Sequence, residues 1–231
     1  MTKTIMKFTT AALLAMGMMT SVAQAEDVSV GGDIGVYTQY MWRGMQQTAS
    51  SSVQGDLGID SGMGLSANVW FASLAGPSTE FDFTVDYSGE VGGVGYSVGA
   101  IAYTYLNAAA GNANEVYVGL GYGPVSATYY YAVSGSWKKD AYLDVALGHS
   151  IGGFDLGANF GFYLPRSADA QGNVTAFPTT KNELGHVDLG ISKDVELSGI
   201  TFTPSFMVSF PTYTGKPKNA TQFVGGLNAA F

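Results

Sequence analysis

Apolar and polar residues alternate with period two along most of the chain, the pattern of a strand with two different faces. Beyond the first residues, no apolar run approaches the roughly 20 that a membrane-spanning helix needs. The alternation is clearest at the start. Val28, Val30, Ile34, Val36, Tyr40 and Trp42 share one face of a strand expected over 28–42, and Asp33, Gln39 and Arg43 share the other. Further strands are expected over 50–60, 65–73, 81–88, 94–105, 115–122, 125–133, 140–150, 154–164, 182–192, 200–210 and 220–231, an even total of about twelve. The composition agrees: Gly 32, Tyr 14, Phe 13 and only 12% charged residues favour pleated, half-buried surfaces over helices.

The connections alternate in length. Short, glycine-rich ones fall at 61–64, 89–93, 123–124, 152–153 and 194–199, and the others are mostly longer, notably 107–114, 165–181 and 211–219. Tight turns at one end and longer polar loops at the other are the habit of outer-membrane barrels, with the tight turns periplasmic.

Residues 1–25 read as an export leader. Lys3 and Lys7 form a basic start, 11–22 are apolar, and Ala23-Gln24-Ala25 suits cleavage. The expected division is therefore a cleaved signal peptide over 1–25 and one barrel domain over 26–231. The chain has no cysteine, so packing and hydrogen bonds must hold an exported fold without disulfides. Without Lys3 and Lys7, eight basic residues face eighteen acidic ones, a net charge of −10. Nucleic acid is a poor partner for such a chain.

Alternation suits both a soluble sandwich, with its apolar faces inside, and a membrane barrel, with its apolar faces toward lipid. The apolar sets are Phe81, Phe83, Val85 and Tyr87; Ala141, Leu143, Val145 and Leu147; and Ile200, Phe202, Phe206, Val208 and Phe210. Their polar counterparts include Asp82, Thr84 and Asp86; Tyr142 and Asp144; and Thr201, Thr203, Ser205 and Ser209. In the last segment Phe223, Leu227, Ala229 and Phe231 share a face opposite Gln222 and Asn228. A terminal aromatic after alternating apolar residues looks like the signal read by the barrel-assembly machinery. Together with export and the loop pattern it favours an all-β, transmembrane, antiparallel up-and-down β-barrel of about twelve strands in outer-membrane lipid. Trp42, Tyr87, Tyr105, Tyr122, Phe162, Phe210 and Phe231 fall near strand ends, where interfacial girdles form. Pro204 interrupts a strand pattern, so a bulge or local break is expected there.

The segment Tyr40-Met41-Trp42-Arg43-Gly44-Met45-Gln46-Gln47 resembles the Tyr-x-Phe/Trp-Arg-Gly-x-x-Gln stretch near the start of the TorF porin family. Val53-Gln54-Gly55, the stretch 64–70, Asp86-Tyr87-Ser88-Gly89-Glu90, Glu115-Val116-Tyr117-Val118-Gly119 and Tyr142-Leu143-Asp144 are similar to that family in the same order. The likeness is looser in the second half of the chain. It implies an outer-membrane barrel and does not imply a catalytic site.

Asp33, Asp56, Asp82, Asp86, Asp144, Asp155 and Asp188 have the parity of the polar face, and Lys138, Lys139, Arg166, Lys181, Lys216 and Lys218 sit in loops. Two readings follow: an acidic lumen that favours cations, or polar groups locked into structural hydrogen bonds. Arg43, the one basic residue assigned to the lumen side of a strand near its outer end, has three readings: pairing with a lumen carboxylate, lining a constriction, or anchoring the rim. His149 and His186 are too few for a metal cluster, and His186 is expected to be a solvated strand residue. Adjacent His149 and Ser150 point to opposite faces, which disfavours a Ser-His hydrolase. No cofactor or enzyme activity is expected.

Two functions fit the sequence: a porin-like channel for small hydrophilic solutes or ions, or a non-conducting structural or surface-binding barrel. Nothing in the sequence specifies an oligomer.

Overall fold

The computed structural model describes residues 27–108, 111–135, 137–166, 175–214 and 220–231. The expected leader, part of the long loop (167–174), Lys216 and Lys218 lie outside the described residues.

The strands are β1 (Ser29–Tyr37), β2 (Met41–Trp42), β3 (Met45–Gln46), β4 (Ser52–Asp60), β5 (Leu65–Ser73), β6 (Thr79–Val91), β7 (Val94–Leu106), β8 (Ala113–Tyr122), β9 (Val125–Ser134), β10 (Ala141–Ile151), β11 (Phe154–Leu164), β12 (Glu183–Ser192), β13 (Val195–Leu197), β14 (Ile200–Pro211) and β15 (Gln222–Ala230). Apart from β2 and β3, each pairs antiparallel with its sequence neighbour, and β13 continues β12 along β14. The sheet closes where β1 meets β15, with Ile34 opposite Ala229 and Val36 opposite Leu227. The result is a closed barrel of twelve antiparallel staves. Closure is what lipid demands, because an open edge would leave backbone donors and acceptors without partners. Stave lengths of 9 to 13 residues suit a tilted crossing of the hydrocarbon layer.

The distribution of burial decides between the two architectures. Val30 is 68% exposed, Phe83 51% and Leu227 52%, whereas Asp33 is 3% exposed, Gln54 0% and Asp144 6%. Apolar side chains cover the outside and polar ones fill the inside. That is the reverse of a soluble sandwich and sets the sandwich reading aside.

Two expected ranges, 65–73 and 154–164, match β5 and β11 to the residue, and the others apart from the first shift by one to three residues. Tight turns join the staves at one end. Gly92 and Gly93 both take positive φ (62° and 80°), as do Gly152 and Gly153 (61° and 78°), which is the geometry of a two-residue hairpin that follows strand twist. Other glycines serve as notches. A Cβ on Gly99 would lie 2.4 Å from the ring of Tyr117 directly opposite, and one on Gly226 would lie 2.3 Å from Tyr37. Each inward tyrosine thus lies across its neighbour's bare backbone, which helps to explain why both residue types are abundant.

Pro204 produces the local break but no bulge. The register runs unshifted from Ser192 opposite Ser205 to Val195 opposite Phe202. Between them the ladder lapses at Lys193 and Asp194, because proline has no N–H to offer; the Lys193 N–H still donates to the Pro204 carbonyl at 3.2 Å.

The first expected strand and the girdle need correction. The strand over 28–42 ends at Tyr37, after which the chain turns into the barrel, so Tyr40 and Trp42 are not on the outer face. Tyr105 points inward too, and its hydroxyl donates to Glu80 at 2.7 Å. Tyr87, Tyr122, Phe210 and Phe231 are exposed on the outside, as a girdle requires.

A barrel of this kind should migrate differently on a gel before and after boiling. In lipid vesicles, cysteine at Val85 should be protected from a water-soluble thiol reagent while cysteine at Thr84 reacts. Equal reaction at both positions would contradict the assignment of faces.

Candidate functional site

The lumen is crossed by the segment 38–51, which joins β1 to β4 at the end opposite the tight turns. Its neck is clasped by the Gln47 N–H donating to the Tyr40 carbonyl (2.8 Å) and by the Thr48 hydroxyl, which accepts from the Tyr40 N–H (2.9 Å). Beyond the neck, Met41 pairs with Gln46 and Trp42 with Met45 to make a small hairpin. Its tip is Arg43-Gly44, both with positive φ (48° and 71°). A turn with two left-handed residues normally takes Asn-Gly, and arginine in its first position costs on the order of 1 kcal/mol.

Interactions of the arginine side chain offset that cost. Its two terminal nitrogens donate to the two oxygens of Glu115 on β8, at 2.9 and 2.6 Å. Its Cζ lies 4.4 Å from the ring centre of Tyr142, 4.6 Å from Trp42 and 4.8 Å from Tyr130. The Tyr103 hydroxyl donates to Glu115 at 2.9 Å, and Tyr163 donates to the Arg43 carbonyl at 2.6 Å. The pair is nearly dry, with side-chain exposure of 8% for Arg43 and 3% for Glu115. Removing either partner would leave a buried charge uncompensated.

The rest of the hairpin also meets the wall. Tyr40 packs on Trp70 (5.3 Å), Met41 joins Tyr37, Met207 and Val224, and Gly44 sits against the His186 ring. Trp42 stacks on Trp137 from the loop after β9 (4.9 Å, 16°). Phe177 and Tyr213, from two other loops at this end, pack on Tyr163. Aromatic side chains thus fill this half of the lumen. Toward the tight turns lies a cavity of about 180 Å³, lined in part by Asn68, Asp82, Thr84, Asp144 and Asp188.

The expected lumen residues are found as follows. Asp33 lies opposite Asp56, which accepts from the Asn68 amide at 3.1 Å. Asp82 stands between Trp70 and Tyr103 on the neighbouring staves. Asp86 accepts from the Tyr117 hydroxyl at 2.7 Å, and Asp144 from the Asn159 amide. Asp188 is 3.1 Å from Nδ1 of His186. Asp155 stays near the tight-turn mouth with Ser150. Arg43 is at a hairpin tip rather than on the lumen side of a barrel strand. His186 is buried, with its ring parallel to Tyr142 (4°) and Nε2 2.8 Å from the Tyr142 hydroxyl. The expected solvated histidine is therefore corrected, since the inward hairpin covers it. Among the described residues no group of three His, Cys, Asp or Glu could hold a metal ion.

Residues 22–162 match the bacterial family of unknown function Gcw_chp. The chain belongs to that family. No curated protein matches in sequence. In structure the chain is similar to the KdgM porin (9% identity, TM-score 0.56, covering 87% of this chain and 99% of that one). It is likewise similar to the NanC porin (12% identity, TM-score 0.54, covering 88% and 99%). At such identities the likeness concerns the barrel fold. The family match includes the whole hairpin and Glu115.

Glu115 was not among the acidic residues singled out above, although its parity with Tyr117 and Gly119, opposite Val116 and Val118, places it inward. Asp140 was missed as well. Buried beneath the loops, it accepts from the backbone N–H groups of Arg166 and Ala176 and from the Thr175 hydroxyl, tying two loops together.

Gly44 offers a direct test of the hairpin. A Cβ there would lie 2.3 Å from His186, and its positive φ adds roughly 1–2 kcal/mol of backbone strain for any other residue. Gly44→Ala should dislodge the hairpin in an intact barrel, shifting tryptophan emission to the red as Trp42 and Trp137 separate. Unchanged emission would show that the hairpin does not depend on this fit.

Proposed function

We propose that this chain is an outer-membrane channel of the porin type, exported with its leader and inserted by the barrel-assembly machinery, which passes small cations through a lumen narrowed by the 38–51 hairpin. The carrying observation is the charge of the interior. Asp33, Asp56, Glu80, Asp82, Asp86, Asp144 and Asp188 face inward, and the one inward arginine is already paired with Glu115. Among the described residues the other basic side chains are in loops or at the rim: Lys138, Lys139, Arg166, Lys181 and Lys193. Fixed carboxylates in a low-dielectric passage raise the local concentration of cations and repel anions.

The resemblance to TorF porins belongs to this reading, because the segment that carries it, 40–47, is the hairpin itself. One KdgM porin structure is of a complex with disordered oligogalacturonate, a sugar chain bearing carboxylates. The carboxylate-rich interior here argues against that class of solute. The exposed Phe231, whose backbone bonds with Gly32 across the closing seam (3.0 and 3.3 Å), supports its role as an assembly signal.

A second reading has its own support. The hairpin meets the wall from Trp70 round to Val224, which favours a barrel that stays shut until the hairpin moves. Bilayer recording in a salt gradient tests both. A reversal potential of cation-selective sign is expected, reduced by the combined Asp82→Asn, Asp144→Asn and Asp188→Asn changes. Anion preference would overturn the proposal, and an inserted barrel without conductance, with Gly44→Ala equally silent, would favour the structural role.

A further inference from the structure

The surroundings of Arg43 are unusual because nearly all of them belong to the wall. Glu115, Tyr103, Tyr130 and Tyr142 stand on four consecutive staves, β7 to β10, and keep their arrangement through cross-strand pairing: Tyr130 lies directly opposite Tyr142, and their ring centres are 6.1 Å apart. The Tyr103 hydroxyl orients the Glu115 carboxylate from the wall side. Only the arginine and Trp42 come from the hairpin.

We propose that these four wall residues form a receptor for a guanidinium group, held in cis by Arg43 and able to take a guanidinium-bearing solute from the adjoining cavity in its place. The chemistry selects guanidinium over ammonium. Both carboxylate oxygens are engaged in parallel by two nitrogens of one planar fork, which a single ammonium cannot reproduce. The rings of Tyr142 and Tyr130 lie 4.4 and 4.8 Å from the guanidinium carbon, close enough to reward a weakly hydrated cation. An almost fully buried Glu115 with no cation beside it would be strongly unfavourable, so the box has high demand for an occupant once Arg43 leaves.

The adjoining cavity lies on the tight-turn side of the box. The cavity is bounded by Arg43, Tyr103, Tyr130 and Tyr142 and reaches past Asn68 and Thr84, which lie opposite one another two residues nearer the tight turns than Trp70 and Asp82. The positive φ of Arg43 means that exchange of the guanidinium relieves backbone strain at the tip. A solute that takes the box therefore frees the hairpin to withdraw. Withdrawal bears on transport only if the barrel conducts as proposed above; binding to the box does not depend on it.

The test uses the full barrel in detergent, with tryptophan emission as a readout independent of conduction. The three tryptophans, at 42, 70 and 137, all lie beside the hairpin or its packing. Arg43→Ala is titrated with millimolar guanidinium chloride against sodium and ammonium chloride of equal ionic strength. A saturable change specific to guanidinium is expected in Arg43→Ala, at concentrations at least about tenfold below those needed in the wild type, where a tethered side chain competes at high effective concentration. Adding Glu115→Gln should abolish it. A response equal to that of sodium, or one indifferent to Glu115→Gln, would overturn the proposal. If Arg43→Ala fails to form a heat-modifiable barrel, Arg43→Lys keeps the charge without the fork and is titrated in its place with the same expectations. Specific binding in a barrel that never conducts would defeat the channel reading and leave the receptor standing.

Discussion

Hydrocarbon offers no partner to a backbone amide, and the rest of this structure depends on that constraint. A sheet in lipid must close on itself, and once it closes, the period of two sends each alternate residue into an interior shared with water and other side chains. The outward set becomes predominantly apolar. The inward set becomes a crowded space in which Asp33, Asp56, Glu80, Asp82, Asp86, Glu115, Asp144 and Asp188 must be accommodated. Tyrosine hydroxyls meet much of that need: Tyr105 serves Glu80, Tyr117 serves Asp86 and Tyr103 serves Glu115. Glycines such as Gly99 and Gly226 give the rings somewhere to lie.

The hairpin answers a second constraint. Twelve staves enclose more space than eight, and the inward side chains of this barrel do not fill it alone at the loop end. A connecting segment turns in, and its arginine completes an electrostatic arrangement that the wall has half built. Trp42, stacked on Trp137, and Phe177, stacked on Tyr163, extend the same filling upward into the loops. The opposite half of the lumen keeps a cavity lined by carboxylates and amides. The described lumen is thus filled in its loop half and keeps an acidic cavity in the other.

Much of the fold was legible from residues. Stave ends such as 65–73 were readable because each side of the strand had its own chemistry and each turn its glycine. The acidic residues of the lumen followed from the same parity. The first strand failed at Tyr40 because Tyr40 and Trp42 keep the parity of Val28 to Val36 across Thr38, and aromatic residues suit lipid and a lumen plug equally. The turn at Arg43-Gly44 lacked the Asn-Gly signature. A pair of glutamines, Gln46 and Gln47, offered no sign that the chain was doubling back.

Period two, loop spacing and composition by themselves determined where most staves run, that there are about twelve of them and which residues share a face, because each of these follows from local backbone geometry; that the apolar face lies outside a closed barrel was settled by the distribution of burial. Tertiary structure alone decided what occupies the lumen. Arg43 and Glu115 are separated by 72 residues, and His186 lies farther still along the chain. Local periodicity carries no information about which inward residue meets which across a barrel, since that depends on closure, shear and the path of one loop. The segment 40–47, which carried the resemblance to a porin family, proved to be the piece of chain that closure draws into the centre.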